Sequence, residues 1–306
     1  MIQRILSIFP VLLTVATLAF ALQAIAPGDP ARLLVEASGL SPAPPEAVAA
    51  KRQELGLDAP VIERYLRWIG DAAQGDLGRS HRTYQPVTSM YLERMPATLA
   101  LALVAAAISA VIALPLGILT AWQRGSWIDR LGQLVAVIGT AAPGFWVALM
   151  LMYVFGIRLG WLPVFGSLTP SGIILPAIVV ALPNIAFLSR LTRMATLEVL
   201  SADFLTVARM KGLSEWRLAL RHVTPNVLAE ISTMLGLQLA GLMTGAAVVE
   251  YVFAWPGIGR LAVESALVRD TPVVVGFAVM AGLIFVVVNL ITDLLVARLD
   301  PRVRSL

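Results

Sequence analysis

The chain has 306 residues, of which 58% are hydrophobic and 14% are charged, and its formal net charge is +4. A soluble domain carries about 25% charged residues, so this composition leaves too little polar surface to cover a globule in water. The sequence contains no cysteine, which excludes disulfides, thiolate metal sites and a cysteine nucleophile. No basic and aromatic surface typical of nucleic-acid binding is visible. Composition therefore predicts a protein whose partner is the lipid bilayer and not a nucleic acid.

Six apolar segments are long enough to cross a bilayer as helices, which takes about 20 residues each. They are residues 5–26, 97–121, 131–157, 172–189, 228–249 and 272–292. The apolar run of the first segment exceeds the roughly 7–15 residues of a signal peptide, so we expect an uncleaved helix. The sequence thus predicts an all-α membrane protein with six transmembrane helices.

The charges between these segments predict the orientation. Arginine and lysine concentrate in residues 122–130 and 190–221 and in the tail after residue 292, whereas acids and bases nearly balance in residues 27–96. The positive-inside rule therefore predicts that both termini are cytoplasmic and that residues 27–96 lie outside. Two short amphipathic helices, at 46–55 and 61–73, are expected there after a proline-rich turn.

Small and kinking residues occur inside the predicted spans. Prolines at five positions either kink helices for packing or line a cavity; they are Pro10, Pro115, Pro143, Pro176 and Pro183. Gly241 and Gly245 form a GxxxG step in the fifth span, and small residues let helices approach closely in lipid. This step predicts a helix-packing contact, either within the chain or with a second subunit.

The loop at residues 190–225 has the pattern of two short helices. Asp203 is expected to cap a helix that runs to Lys211 and stops at Gly212, and Ser214 is expected to cap a second helix. Some apolar side chains of this loop are predicted to be exposed unless a partner covers them. They are Phe204, Val207 and Leu213.

This loop carries a family resemblance. Residues 206–213 have the sequence Thr-Val-Ala-Arg-Met-Lys-Gly-Leu and are followed by Arg221-His222. They resemble the EAA loop of ATP-binding-cassette (ABC) importer permeases, in the form typical of the dipeptide, oligopeptide and nickel branch. Ala208, Gly212 and Pro225 match the general pattern of that loop, whereas Thr206 and Val207 replace its glutamate and first alanine.

Further stretches that resemble the same branch occur in matching order along essentially the whole chain. They are Pro-Gly-Asp-Pro-Ala at 27–31, Leu-Gly-Leu-Asp-Ala-Pro at 55–60, Gly-Asp-Leu-Gly at 75–78, Phe-Ala-Trp-Pro-Gly-Ile-Gly-Arg at 253–260, Arg-Asp-Thr-Pro at 269–272 and Leu-Asp-Pro-Arg-Val-Arg at 299–304.

The resemblance implies a type I ABC importer permease fold in the cell inner membrane, with a first helix and outer region at 1–96 and a five-helix core at 97–306. It implies alternating access that carries dipeptides or oligopeptides, with nickel or a metal chelate as the alternative substrate. It also implies four kinds of neighbour: a second homologous permease subunit, two ATPase subunits, a periplasmic or lipid-anchored substrate-binding protein and the bilayer. The residues implied to couple to the ATPases are Asp203, Phe204, Thr206, Val207, Ala208, Lys211, Gly212, Leu213, His222 and Pro225.

Other chemistry is poorly supported by the sequence. No Walker loop occurs, so ATP must be hydrolysed by a partner, and no GxSxG or HExxH motif suggests an enzyme. No cofactor or metal site is expected, since His81 and His222 are placed on opposite sides of the membrane. A membrane enzyme and a sensor or structural protein remain the competing classes, although the second leaves the two-helix loop unexplained.

Two polar residues are candidates to line a translocation path. Glu250 is placed at the outer end of the fifth span, and Asn289 lies in the sixth. The alternative for Glu250 is a structural role, in which it fixes the following loop through Arg260. Asp293 is expected to pair with Arg298 or another arginine.

Overall fold

The computed structural model describes residues 2–25, 28–37 and 39–299, and its regular elements there are helices. The helices of the first half are Ile2–Ile25 (α1), Pro30–Ala37 (α2), Pro45–Glu54 (α3), Val61–Ala73 (α4), Val87–Trp122 (α5), Trp127–Ala141 (α6) and Gly144–Leu151 (α7). Those of the second half are Ile174–Leu200 (α8), Asp203–Met210 (α9), Glu215–Leu218 (α10), Thr224–Gly245 (α11), Ala247–Val252 (α12), Ile258–Leu267 (α13) and Thr271–Leu299 (α14). Two π-helical turns, Met152–Arg158 and Ala219–Val223, continue α7 and α10.

Three helices in the described residues are long and apolar enough to cross a membrane. They are Val87–Trp122, Ile174–Leu200 and the Thr271–Thr292 part of α14. Two bent helix pairs raise the number to five if each pair is one span. α1 contains an apolar stretch, Pro10–Leu22, that is shorter than these three helices. The all-α membrane fold is therefore confirmed, while the count of six spans and the cytoplasmic termini stay predictions.

The third predicted span is not one continuous helix. α6 ends at Ala141, and the chain from Gly144 to Arg158 is bent by 99° from it. Ala142 is extended, with φ −71° and ψ 126°, because the ring of Pro143 disfavours the helical region for the residue before it. The span predicted at 131–157 is therefore a bent helix pair, and Pro143 is the N-cap of the second helix instead of a kink within a continuous one.

The chain forms two compact units. The first comprises residues 1–98 and 256–286, and the second comprises residues 99–255 and 287–306. The structure thus groups residues 256–286 with the N-terminal part. The division into domains at residue 96 stays a proposal.

In the first unit, the two short helices predicted at 46–55 and 61–73 are present as α3 and α4, and α2 is an addition. α2 begins where Asp29 Oδ1 accepts a hydrogen bond of 3.0 Å from the Ala31 N–H, with Pro30 at the first helical position. An aspartate cap followed by proline satisfies an otherwise unpaired amide and presets the backbone angle. The Asp-Pro-Ala part of the Pro-Gly-Asp-Pro-Ala stretch, residues 29–31, is therefore a helix start.

The second half of the first unit is held by polar contacts across long sequence separations. Asp270 accepts hydrogen bonds from the Ser80 hydroxyl and from the His81 N–H, the latter at 2.9 Å. Tyr91 Oη donates to the Val273 carbonyl at 2.7 Å. These buried groups are all satisfied, which makes the connection costly to break. The Arg-Asp-Thr-Pro stretch thus serves to anchor the start of α14.

In the second unit, α8 packs against α6 and α11. α8 runs to Leu200 and not to residue 189, because Leu191, Ala195 and Val199 continue its apolar face against the core. α11 bends by 51° between Ser232 and Met234. Close packing with α14 occurs at Gly236, where an added Cβ would overlap the Thr292 side chain.

Candidate functional site

The candidate site is the segment at residues 203–223, which we call the knuckle. α9 ends in a left-handed residue, Gly212, with φ +76°. The Gly212 N–H donates to the Arg209 carbonyl at 2.9 Å, and the Leu213 N–H donates to the Ala208 carbonyl at 3.4 Å. This pair of bonds is a Schellman motif, which satisfies the last carbonyls of a helix and strongly favours glycine. The predicted stop of α9 at Gly212 is confirmed.

The two helix starts differ from the prediction. The N-cap of α9 is Ala202, with no side-chain hydrogen bond, and Asp203 is the first helical residue. Ser214 does occupy the N-cap position of α10, but its side chain makes no capping hydrogen bond. Capping by Asp203 and by the Ser214 hydroxyl was therefore a wrong prediction, since both side chains point to solvent at these starts. Asp203 still places a negative charge on the first turn, where the helix dipole favours it.

The knuckle continues into α11 without a loop. α10 passes directly into the π-helical turn Ala219–Val223 and then into Thr224–Gly245. Pro225 lies directly after the π-helical turn, inside this continuous helical path, where its missing N–H removes one helical hydrogen bond. The Asn226 side chain donates a 2.7 Å hydrogen bond to the carbonyl of His222, which compensates a backbone group near the proline. Residues 215–245 are thus one helical path.

One face of the knuckle is buried in its own chain. Leu205, Ala208, Leu218 and Val223 belong to a hydrophobic cluster built from α8 and α11, and Leu213 packs against it. Burial of four aliphatic side chains stabilises the knuckle by several kcal/mol at about 1.5–3 kcal/mol for each large one. The prediction that Leu213 is exposed is wrong. Ala208 is also buried in this cluster, so its side chain stabilises the knuckle and does not belong to its exposed surface.

The opposite face exposes large apolar side chains, which we call the exposed apolar face. Its members are Phe204, Val207, Met210, Trp216 and Leu220. Met210 is 79% exposed and Trp216 is 72% exposed, unlike the neighbouring buried leucines. Met210, Trp216 and Leu220 were missed by sequence reasoning. The spacing of three residues between 204, 207 and 210 could have found the first of them, because it places these side chains on one helical face.

The exposed apolar face is rimmed by polar and basic groups. Thr206, Lys211, Arg217 and Arg221 are exposed, and Arg209 pairs with Glu215 at 3.3 Å. His222 is half-buried and Pro225 is exposed. An apolar centre with a charged rim is the usual anatomy of a protein interface. Seven of the ten predicted coupling residues are thus exposed, whereas Ala208 is buried and Leu213 and His222 are half-buried.

A second feature of the same unit is a cavity of about 520 Å³ beside α11. Gly241 and Gly245 line it together with the polar side chains of Asn184 and Gln238. A Cβ added at Gly241 or Gly245 would meet no atom within 4 Å. The GxxxG step therefore makes no close contact within the described part of this chain, and the packing contact of α11 lies instead at Gly236.

The two candidate path residues lie in different settings. Glu250 is fully buried in α12, and its carbonyl accepts a 2.8 Å hydrogen bond from the Trp255 N–H. Asn289 is half-buried on α14. Arg260 pairs with Glu264 at 2.6 Å. The side chains of Asp293 and Arg298 lie outside the described residues, so their predicted pairing stays a prediction.

Comparisons with known proteins identify the family and the fold of the chain. Residues 113–305 match the family model described as the binding-protein-dependent transport system inner membrane component, and residues 1–102 match the model of the N-terminal part of such membrane components. Among solved structures, the MetNI methionine ABC transporter in an inward-facing form is similar, with a TM-score of 0.56 and 18% identity over 69% of this chain and 96% of that chain. At that identity the likeness establishes the fold alone.

Relatives of known sequence are similar over nearly their whole length. A Brucella abortus (strain 2308) protein, provisionally named a peptide transport system permease, is 39% identical over 99% of this chain and 98% of its own. The glutathione transport system permease protein GsiC of Escherichia coli K12 is 37% identical over the same shares of the two chains. The chain belongs to the binding-protein-dependent transport system inner membrane components, as a multi-pass inner-membrane permease subunit of the peptide branch of ABC importers that is not itself an enzyme.

Proposed function

We propose that this chain forms half of a pathway that carries dipeptides or oligopeptides into the cell by alternating access, driven by ATP hydrolysis in partner subunits. The names of its relatives support a small peptide as the substrate class, because they refer to peptides and to glutathione, itself a tripeptide. The same names do not favour the nickel or metal-chelate alternative. The single observation that carries the proposal is the exposed apolar face of the knuckle.

A cytoplasmic ATPase subunit is the partner that we assign to the exposed apolar face. Side chains as large as Trp216 and Met210 are unfavourable in water when they stand together on one surface. The Schellman turn and the buried leucines beneath hold these side chains in a fixed arrangement, so little conformational entropy is lost on docking. The basic rim predicts that the receiving groove has an apolar floor and acidic edges.

The open glycine surface of α11 suggests where the second permease subunit binds. We propose that a second homologous permease subunit packs against α11 at Gly241 and Gly245, where the chain leaves a glycine surface open. The cavity beside these glycines, with Asn184 and Gln238, becomes part of the pathway when the second subunit closes it. Glu250 and Asn289 stay candidates for the pathway. Two ATPase subunits and a periplasmic or lipid-anchored binding protein complete the importer.

Site-specific cross-linking tests the docking directly, because the natural sequence has no cysteine. The variant Met210→Cys places a thiol in the exposed apolar face, and Ile62→Cys places one on α4, where Ile62 is 74% exposed. We expect a cross-link between Met210→Cys and an ATPase subunit in the intact importer, and none from Ile62→Cys. Equal labelling of both variants by the ATPase, or of neither, contradicts the assignment.

Substrate class needs a separate measurement, because the binding protein selects the cargo. Calorimetry on the cognate binding protein should show heat of binding with dipeptides, longer peptides or glutathione. It should show none with nickel chelates at the same concentrations. Tight binding of a nickel chelate alone would replace the peptide proposal while leaving the docking role of the knuckle untouched.

A further inference from the structure

The first unit contains a cavity of about 740 Å³ that the proposed transport function does not use. Its walls come from the apolar faces of α1 and α14, including Leu22 and Phe277. Three arginines, Arg52, Arg64 and Arg269, line it against one carboxylate, Asp29. The cavity is therefore amphipathic, with aliphatic and aromatic walls and an excess of positive charge.

Two of these arginines are fixed by the chain. Arg52 donates from Nη1 to Asp29 Oδ2 at 2.8 Å and from Nε to Asp58 Oδ1 at 3.3 Å. The Arg269 guanidinium lies against Gly28, where an added Cβ would overlap it. Gly28 has φ +108°, a backbone conformation that residues other than glycine rarely adopt. The glycine of the Pro-Gly-Asp-Pro-Ala stretch thus makes room for an arginine at the cavity wall.

The side chain of Arg64, the third arginine, makes no hydrogen bond or ion pair among the described residues. Arg64 is half-buried, and burial followed by the nearby charge of Arg52 lowers the pKa of its guanidinium. Arg67, one turn further along α4, differs because it pairs with Glu63 at 2.8 Å in solvent. A half-buried cation beside a second guanidinium is less favourable than a fully hydrated one, and an anionic ligand in the cavity offsets part of that cost.

We propose that this cavity binds the phosphate group of an anionic molecule, with a phospholipid as the source that its walls favour. Guanidinium groups form paired hydrogen bonds with phosphate oxygens, which makes arginine better suited than lysine to this task. The leucine, valine and phenylalanine side chains of α1 and α14 offer a surface for acyl chains. Basic pockets between membrane helices bind lipid headgroups by the same combination of charge and apolar contact.

Binding to the purified full-length chain in detergent, measured by native mass spectrometry, tests the proposal. The probes are dioleoyl phosphatidylglycerol, dioleoylglycerol, which has the same acyl chains without phosphate, and inorganic phosphate. We expect phosphatidylglycerol to bind and Arg64→Gln to weaken it about fivefold, the effect of one basic residue on an anionic lipid. The matched control Arg67→Gln should leave the affinity unchanged, and Arg64→Lys should retain most of it.

Each result decides the matter. Displacement of phosphatidylglycerol by inorganic phosphate supports the phosphate chemistry and makes a free anion a competent source. Preference for phosphatidylglycerol without such displacement supports the lipid. Equal binding of dioleoylglycerol and phosphatidylglycerol overturns the proposal, as do equal affinities for the Arg64→Gln and Arg67→Gln variants.

Discussion

Arg193 on α8 holds Asp129 at the start of α6 through two parallel hydrogen bonds, Nε to Oδ1 at 2.8 Å and Nη2 to Oδ2 at 2.9 Å. Asp129 is only 3% exposed. The Gln133 side chain and the Gly125 N–H donate to the same carboxylate at 2.8 Å and 3.0 Å. All of its acceptor positions are therefore used, which is the condition under which a buried ion pair is tolerated.

Removing one partner of this pair should be strongly destabilising. We expect Arg193→Ala to lower the free energy of unfolding by about 3–5 kcal/mol, because it leaves a buried carboxylate without its counter-charge. Equilibrium unfolding in mixed micelles measures the change. Arg193→Lys should recover only part of it, since an ammonium cannot form the paired bonds. The exposed neighbour Arg130 provides the control, and a loss from Arg130→Ala as large as that from Arg193→Ala would contradict the role of the pair.

A second prediction concerns the Schellman turn of the knuckle. Gly212→Ala forces a side chain into a left-handed conformation and should destabilise the protein by about 1–2 kcal/mol. Gly212→Pro also removes the N–H that bonds to Arg209, so we expect it to disconnect ATP hydrolysis from peptide uptake. Both rates are measured in proteoliposomes with the complete importer.

The control for that turn is Gly70→Ala on α4. Gly70 lies inside a helix, and an added Cβ meets nothing within 4 Å. Its replacement should stabilise the protein by about 0.5–1 kcal/mol, because alanine is the better helix former. If Gly212→Ala proved as harmless as Gly70→Ala, the turn would not be needed to hold the knuckle.

Substitutions at the glycines of α11 should distinguish a packing contact within the chain from a contact between subunits. Gly236→Ala places a Cβ onto Thr292 and is expected to cost about 1–3 kcal/mol in the isolated chain. Gly241→Leu meets no such neighbour, so we expect normal stability but a lower yield of the complex with the second permease subunit. Thermal unfolding of the chain and co-purification of the two subunits distinguish these effects. Normal assembly of Gly241→Leu would exclude this glycine surface as the subunit contact.

His81 gives a pH prediction. Burial lowers the pKa of its imidazole, Asp270 raises it, and Lys51 and Arg64 lower it further, with a net decrease. In the unfolded chain the pKa returns to its ordinary value of about 6.5, so the unfolded state takes up a proton first as the pH falls. Stability is therefore complete above about pH 7 and decreases as the pH falls through the ordinary pKa.

The variant His81→Gln should remove this part of the pH dependence. We expect a smaller decrease of the unfolding midpoint between about pH 7 and pH 5 than in the natural protein. Superimposable slopes in the two proteins would mean that another group is responsible.

The membrane class and the helices α3 and α4 could be predicted from the sequence because they depend on local patterns. α4 has an amphipathic repeat, and both α3 and α4 start next to a proline and end in Schellman turns, at Gly56 with φ +61° and at Gly75 with φ +89°. Proline-bounded starts and glycine stops are encoded within a few residues. The same reasoning placed the end of α9 correctly at Gly212.

Other features depend on tertiary context and could not be predicted in this way. Hydropathy does not reveal the 99° bend before Gly144, because the bent helix pair passes the same test of apolar composition as a straight span. The prediction that Asp203 caps α9 is wrong because a suitable residue type does not determine at which position of the helix start the residue lies. The GxxxG step at Gly241 does not reveal whether its partner helix belongs to the same chain. Exposure of Met210 and Trp216 required the positions of the helices beneath them.

The unbroken helical path from α10 through the π-helical turn into α11 has a mechanical consequence. From Trp216 to Gly245 it is about 45 Å long at 1.5 Å per residue, and no residue along it is in a loop. A movement of α10 is therefore transmitted to α11 directly, because no flexible loop lies between them. The 51° bend after Ser232 divides this path into two arms, so a displacement along the first arm changes direction there before it reaches the second.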